Sequence, residues 1–436
     1  MSPQNSGRLG FLATSVFLSN GYSCELPPNP LIQWIPVIPL FMSVYGAETQ
    51  MTGHHACRAC RGHDGQIVLD LGNQPACDYF PTYDDPGPDP VYPLQMWLCS
   101  QCGLAQLLED PTVPEEPKGA EPAALVAQAA DAVGRVAAAG LLPPGARIAE
   151  YGSPHGGSWL EMLVERGLKP VSSGGAGGSS PLGQTEPMGV ADEADVILDC
   201  LGLMHAADQQ AAIAERAARL APEGVLLIQF HSIDTIVRLG QWNALRHGHY
   251  AYYSATALSA MLAGVGLSPR TAWHFDLYGG TILLAAQRDG EGRAADETIR
   301  DLLAAEAASG VTTPAAYAAL QRGVRTRAEA LRGWLAGLKE SGTPVLGYSA
   351  ASRAIALLRL AEVDADLLPA VADASPAKLG TRMPGTSIPV ISPAELIARA
   401  PREVALFVSD LMAEVRAAYP QVEAAGGHWV DADVLR

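Results

Sequence analysis

The chain has 436 residues, 48% of them apolar and 17% charged, with 29 Lys and Arg against 46 Asp and Glu for a net charge of −17. That length exceeds one ordinary core and points to roughly two to four domains, and the apolar share is enough to fill them. The acidity, with no cluster of Lys and Arg, argues against a nucleic-acid partner, whose phosphates require such a cluster.

Residues 1–50 stand apart from the rest. Their apolar run Leu31–Val44 is broken by Pro36 and Pro39. It is too short to span a bilayer and lacks the basic flank and cleavage site of a signal peptide. This segment therefore reads as a disordered or artefactual extension, with translation starting near Met42 or Met51, and no membrane association is expected. The seven cysteines are Cys24, Cys57, Cys60, Cys77, Cys99, Cys102 and Cys200. An odd count holding two C-x-x-C pairs does not make a secreted disulfide framework and fits a reducing cytoplasm.

From His54 to Leu108 the chain is short of apolar periodicity and rich in turns, so it needs a staple to fold. Cys57-Arg58-Ala59-Cys60 and Cys99-Ser100-Gln101-Cys102 supply one. Each turn presents two thiolates to one ion, and four thiolates make a closed tetrahedral zinc site with a structural role. The gap between the pairs leaves room for a hairpin. Cys24, Cys77 and Cys200 read as ordinary thiols.

An Ala-rich helical pattern, Glu121 to Ala139, leads into a β-α alternation. The strands are Arg147–Tyr151, Asp195–Cys200, Gly224–Phe230 and Gly280–Gln287. The helices are Gly156–Arg166, Asp208–Leu220 and Ala255–Ala263. Such alternation implies a mostly parallel sheet. Two helices follow, Glu297–Ser309 and Ala315–Glu340. A second alternation then has strands at Val345–Tyr348, Leu367–Ala372, Ile388–Ile391, Val404–Val408 and His428–Val430. Its helices are Ser352–Ala361, Pro393–Ala400 and Leu411–Ala424. The fold class is α/β.

Two loops carry candidate chemistry. Glu150-Tyr151-Gly152-Ser153, followed by Gly156 and Gly157, ends a strand with glycines that let a ligand approach the backbone. Alone, such a turn is weak evidence, because many α/β loops share it. No carboxylate stands at Val171–Gly178, where a ribose-holding acid would be expected. The second loop is Trp242–Ser254, with His247 and His249. It follows a core strand, on the side of the sheet where ligands bind, and a histidine there can exchange protons near neutral pH. Its other reading is a structural loop with rings packed under the sheet. A metal at H-x-H lacks a third ligand.

Taken together, these pieces resemble the sugar C-methyltransferases that act on nucleotide-linked 4-keto-deoxysugars in antibiotic biosynthesis. The resemblance runs from Cys57 to the C-terminus. It rests on the paired cysteines with Leu69-Asp70-Leu71-Gly72, Gln74-Pro75 and Tyr92-Pro93-Leu94. Glu150-Tyr151-Gly152-Ser153 is similar to an E-I-G-S cofactor turn, and Leu203-Met204-His205 to an L-x-H. Gly347-Tyr348-Ser349-Ala350 is similar to G-Y-G-A, and Lys378-Leu379-Gly380 with Pro384–Val390 to a second signature. His247 and His249 match the histidines of Y-H-E-H, while Arg246 and Gly248 stand for its Tyr and Glu, and Val113–Lys118 has no counterpart to an F-x-x-Y-x-Y stretch.

The resemblance implies four regions. They are an N-terminal extension (1–50), a zinc ribbon (51–118), a Rossmann-like S-adenosylmethionine domain (119–290) and a C-terminal α/β domain (291–436) that opens with a helical linker (291–341). It implies that Glu150, Gly152, Ser153, Gly156, Gly157, Leu203 and His205 hold the cofactor. Tyr348, Ser349, Arg353 and Lys378 would meet the nucleotide-linked deoxysugar. His249 would remove the proton next to the C4 ketone, aided by His247 and Arg246, before the carbon takes the methyl. Two other readings use the same scaffold: ketone reduction of a nucleotide sugar without methyl transfer, or a non-catalytic sugar-nucleotide or partner-binding paralogue.

Overall fold

The structure is a computed structural model that describes residues 55–112, 121–152, 157–171, 193–290 and 294–435. The readings of residues 1–50, of Val113–Lys118 and of the Val171–Gly178 segment beyond Val171 thus lie outside the described residues, as do Ser153 and Gly156. His54–Arg436 clusters as one compact unit.

Three sheets organise it. The first has strands β1 (Gly65–Pro75), β2 (Val91–Cys99) and β3 (Ala105–Leu107), an antiparallel series that carries the cysteine turns at its end. Helix α1 (Ala123–Ala138) then leads to β4 (Arg147–Tyr151), α2 (Leu160–Glu165), β5 (Lys169–Pro170) and β6 (Ala194–Cys200). Next come α3 (Gln209–Arg219), β7 (Leu220–His231) and α4 (Ile233–Leu239). A two-residue strand, β8 (Ala251–Tyr252), is followed by α5 (Ala255–Ala263), β9 (Leu267–Phe275) and β10 (Thr281–Arg288).

The second sheet has the order β5-β4-β6-β7-β10-β9. Its first four strands run parallel, and β10 is antiparallel to both neighbours. The two-residue period of a strand sorts its side chains. Ile148, Val196, Leu198, Val225 and Leu227 pack with α1 and α2. Ala149, Ile197, Leu226, Ile228 and Phe230 face the opposite core with α3 and α5. Strand β9 was not expected from sequence. It sits at the sheet edge, where Pro269 and a polar run are tolerated because one side needs no ladder partner.

Helices α6 (Glu297–Ser309) and α7 (Ala318–Glu340) connect to the third sheet. This comprises β11 (Val345–Tyr348), α8 (Ser352–Leu360), β12 (Val371–Ala372), β13 (Val390–Ile391), α9 (Pro393–Arg399), β14 (Glu403–Leu406), α10 (Met412–Ala418), α11 (Gln421–Ala424) and β15 (His428–Asp431). All five strands are parallel, in the order β13-β12-β11-β14-β15. The expected helix Leu411–Ala424 is two helices, because Pro420 has no N–H to continue the first. The expected strand Leu367–Ala372 shrinks to Val371–Ala372.

The first sheet lies between two cores. Leu94, Met96 and Leu98 point into a core shared with α7 and α8, whereas Trp97 and Cys99 point into the one beneath the second sheet. Its fourth strand is β8, pairing Ala105 with Tyr252 and Gln106 with Ala251. The cysteine-bearing sheet is thus completed by residues next to the histidine loop.

Candidate active site and metal centre

The two cysteine turns are built alike. Arg61 and Gly103, one residue past each pair, take left-handed backbone angles (φ 63° and 73°). Their N–H groups donate to Cys57 O and Cys99 O at 3.0 Å. The four sulfurs lie within 4.8 Å of one another, with Cys57–Cys102 at 3.5 Å and Cys60–Cys99 at 3.6 Å. A tetrahedron of zinc–sulfur bonds has edges of about 3.8 Å, so the donor set and its spacing fit zinc and leave no open position.

The carboxyl ends of the second and third sheets face a shared cavity of about 340 Å³, within the range of small-molecule sites. Gly157, Trp159, Cys200, Leu201, Gln229 and His231 line it from the second sheet. Tyr348, Ser349, Ser352, Arg353 and Lys378 line it from the third. Each sheet sets one non-glycine residue in the left-handed region where it meets the cavity, Leu201 (φ 59°) after β6 and Ser349 (φ 72°) after β11. Such backbone costs about 1–3 kcal/mol per residue and clusters at functional sites.

The turn after β4 is fixed from several sides. Glu150 accepts from Trp159 N at 2.6 Å and from Ser158 Oγ at 2.5 Å, so its carboxylate ties the strand end to the start of α2. A Cβ on Gly202 would lie 2.9 Å from Gly152 O and 3.1 Å from Tyr151 O, so only glycine lets the turns after β4 and β6 approach this closely. Leu203 N donates to Asp199 Oδ1 at 2.8 Å, and the buried Asp199 also pairs with Arg216. Gln229 Nε2 is buried without a hydrogen-bond partner among the described residues, while its Oε1 accepts from the Cys200 thiol at 3.1 Å. A glycine cradle beside an unpaired donor fits S-adenosylmethionine.

From the third sheet, Lys378 is 5% exposed and donates to Ala350 O at 2.9 Å, with its ammonium 4.8 Å from the centre of the Phe80 ring. The Tyr348 hydroxyl donates to Tyr419 at 3.1 Å, and burial pushes its pKa up. Arg353 lines both the main cavity and a side cavity behind it.

The histidine loop is clamped. Asp110 accepts from Gly248 N at 2.6 Å, and Gly248 has a φ of 80° that suits glycine. His205 Nδ1 meets Gly248 O at 2.9 Å, and the His205 and His249 rings stand edge to face, 4.6 Å apart. The Arg246 Nε donates to His249 Nε2 at 2.9 Å, and its Nη1 bonds Ser352 Oγ. His249 lines only the side cavity. His247 points the other way. Its Nε2 meets Pro93 O at 3.2 Å, its ring packs edge-on to Tyr92, and burial lowers its pKa.

The structure therefore brings Arg246, Gly157, Tyr348, Ser349, Arg353 and Lys378 to one cavity. Glu150, Leu203 and His205 stand behind its wall as supports, and His247 lies apart. Sequence reasoning missed Gln229 and His231. Their signal was a polar residue at every second position of an otherwise apolar strand end, Gln229 and His231 flanking Phe230.

Comparison with known families agrees with this layout. Residues 57–116 match a zinc binding domain, 124–272 a methyltransferase domain and 276–432 the C-methyltransferase C-terminal domain. The C-methyltransferase NovU of Streptomyces niveus is 24% identical over 369 residues, 79% of this chain and 87% of that protein. Among solved structures, magnesium protoporphyrin IX methyltransferase from Synechocystis PCC 6803 aligns with 38% of this chain and 84% of its own, at 12% identity and a TM-score of 0.27. A Burkholderia thailandensis 1,6-didemethyltoxoflavin-N1-methyltransferase aligns with 43% of this chain and 96% of its own, at 15% identity and a TM-score of 0.25. Among the described residues, no helix is long and apolar enough to cross a membrane. The chain carries the three-domain architecture of the C-methyltransferases: a four-cysteine zinc-binding domain, an S-adenosylmethionine-dependent methyltransferase domain and a C-methyltransferase C-terminal domain.

Proposed function

We propose that this protein methylates a ring carbon next to the ketone of a nucleotide-linked 4-keto-deoxysugar, with domains bounded near residues 118 and 290. The observation that carries the reading is one cavity shared by the carboxyl ends of the parallel strands of two sheets, with Arg246, Arg353 and Lys378 among its lining residues. Open α/β sheets bind ligands at those ends, so two facing sheets accommodate two ligands at once. S-adenosylmethionine supplies an electrophilic methyl group when bound, and Gly152, Gly157, Leu201 and Gln229 are the residues that would hold it.

The sugar nucleotide is assigned to the opposite wall. Lys378 and Arg353 offer fixed positive charge to its phosphates, and Ser349 and Tyr348 offer hydrogen bonds. Arg246, held from behind by His249 and Ser352, presents a guanidinium that cannot lose its proton. A positive group set there before reaction stabilises an enolate oxygen without reorganising. The test is incubation with isotopically labelled methyl donor and a nucleoside diphosphate 4-keto-6-deoxyhexose, read by mass spectrometry. The reading expects a labelled product heavier by one methylene, with the label on carbon. Label on oxygen, or none with any such sugar, refutes it.

A further inference from the structure

We infer that Glu121, just ahead of α1, is the carboxylate that receives the α-ammonium of S-adenosylmethionine over the turn after β4. This rests on the part of the functional reading that seats the cofactor at Gly152 and Gly157, and on nothing about the sugar.

The first argument is the chemistry of the cavity floor. Oxygen atoms succeed one another across the turns after β4 and β6. A Cβ added to Gly202 would lie 2.9 Å from Gly152 O and 3.1 Å from Tyr151 O, one added to Gly152 would lie 3.8 Å from Gly157 O, and one added to Gly157 would lie 3.0 Å from Glu121 Oε1. Gly157, Cys200 and Leu201 line the cavity together with Glu121. Carbonyl and carboxylate oxygens only accept hydrogen bonds, so a run of them suits a group that only donates. An alkylammonium is such a group, with three N–H donors and no acceptor. The cofactor carries one, at its methionine end. Its sulfonium is a cation without donors, and its α-carboxylate is an acceptor that this floor would repel.

The second argument is availability. Among the described residues, three carboxylates line the cavity: Glu121, Asp373 and Glu414. Asp373 accepts from Ala350 N and Ser375 N, each at 2.8 Å. Glu414 accepts from Ala123 N and Ala124 N, each at 3.2 Å. Glu150, which the sequence singled out for the cofactor, is committed to Ser158 Oγ and Trp159 N. Glu121 is exposed and has no hydrogen-bond or ion-pair partner among the described residues. It is the carboxylate of the cavity wall that remains open to a ligand.

The third argument is support. Glu121 stands two residues before α1, separated from it by Pro122, whose ring holds φ at −63°. Glu414, on α10, accepts from the first two amides of α1. The third domain thus fixes the helix start that carries Glu121. A helix dipole by itself favours an acid near its N-terminus. That does not explain this placement, because Glu414 already answers the first amides of α1, while Glu121 Oε1 lies over Gly157 instead.

The test is titration calorimetry of wild type, Glu121→Gln and Glu121→Ala with three ligands. S-adenosylmethionine has both sulfonium and ammonium, S-adenosylhomocysteine has the ammonium alone, and 5′-methylthioadenosine has neither, while all three share adenine and ribose. The inference expects both variants to melt like wild type without ligand. It expects them to lose about tenfold or more in affinity for the first two ligands, as for a lost charged hydrogen bond, and to bind the third as wild type does. Loss with S-adenosylmethionine alone would put Glu121 at the sulfonium. Equal loss with all three would put it at the ribose or in the fold, and unchanged affinities would leave it a surface residue. Each of these overturns the inference, and none touches the sugar reading, because no sugar is present. If wild type binds none of the three, the cofactor seat falls and the inference with it.

Discussion

Replacing Asp89 tests how the cysteine-bearing sheet is fastened to the third sheet. Its carboxylate accepts from Arg382 Nη1 at 2.7 Å, Arg382 Nη2 at 2.6 Å and Gly385 N at 2.6 Å. The side chains of the pair are 7% and 5% exposed. Burial alone would raise the Asp89 pKa, but the Arg382 and Gly385 hydrogen bonds outweigh it and hold the carboxyl below its ordinary range. Asp89→Ala takes the charge partner from a buried guanidinium, which keeps only the Asp85 and Thr386 carbonyls, and leaves the Gly385 amide without its acceptor, and breaking a buried pair costs about 3–5 kcal/mol. In a domain of this size that lowers the melting temperature by on the order of 10 °C. The joint change Asp89→Leu with Arg382→Met removes both charges and should recover most of the loss, because an apolar pair of similar volume replaces a buried ion pair at little cost. Wild type should also lose stability as pH falls below about 4, the unfolded Asp value, and Asp89→Ala should show a shallower limb, the rest coming from Asp195, Asp208 and Asp296, which are lowered in the same sense. Calorimetric scans and urea titrations of all three proteins read this out. An Asp89→Ala protein within about 1 kcal/mol of wild type would refute the reasoning, as would a double variant as unstable as the single one.

Changing any of Cys57, Cys60, Cys99 or Cys102 to Ala should remove a contribution on the order of 10 kcal/mol from the sheet they close. Metal analysis should find one zinc per wild-type chain, and a metal-free protein with an unchanged melting temperature would sink this. Gly202→Ala places a methyl 2.9 Å from Gly152 O, so it should push the β4 turn and weaken S-adenosylmethionine by about tenfold, or about 1.4 kcal/mol. Its φ of −74° suits alanine, so unchanged affinity by calorimetry would show that the turn yields freely. His231 is neutral in the folded protein down to about pH 3, while the unfolded residue takes a proton below about 6.5. Stability therefore falls as pH drops through that window, by about 1 kcal/mol at pH 5 after allowance for solvent in the cavity, and His231→Gln should be flatter. Parallel pH dependences in urea unfolding would contradict that, and His247, shifted in the same direction, is common to both proteins.

Much of this was legible because the relevant signals are local. Paired cysteines announce themselves by spacing. The strand Arg147–Tyr151 and the helix Ala255–Ala263 follow from apolar pattern, and the structure has both at those bounds. What could not be read was decided by partners distant in sequence. Strand β8 is two residues long and exists because β3 offers it an edge. The role of His249 turns on where the guanidinium of Arg246 points, a three-dimensional fact that a motif match does not carry. His231 stands with Gln229 at the end of an otherwise apolar strand, a weak signal when read alone. Its significance appears only once a second sheet, more than a hundred residues later, closes the cavity over it.

The pairing of β3 with β8 also bears on how the chain is made. Ribosomal synthesis releases all four cysteines and the first three strands well before Ala251 and Tyr252 emerge. Through that interval β3 presents an open edge, the kind of surface that recruits stray strands from other chains. Zinc can close the cysteine turns early, but it cannot cover that edge. A fragment ending near residue 118 should therefore bind metal and still self-associate in sedimentation.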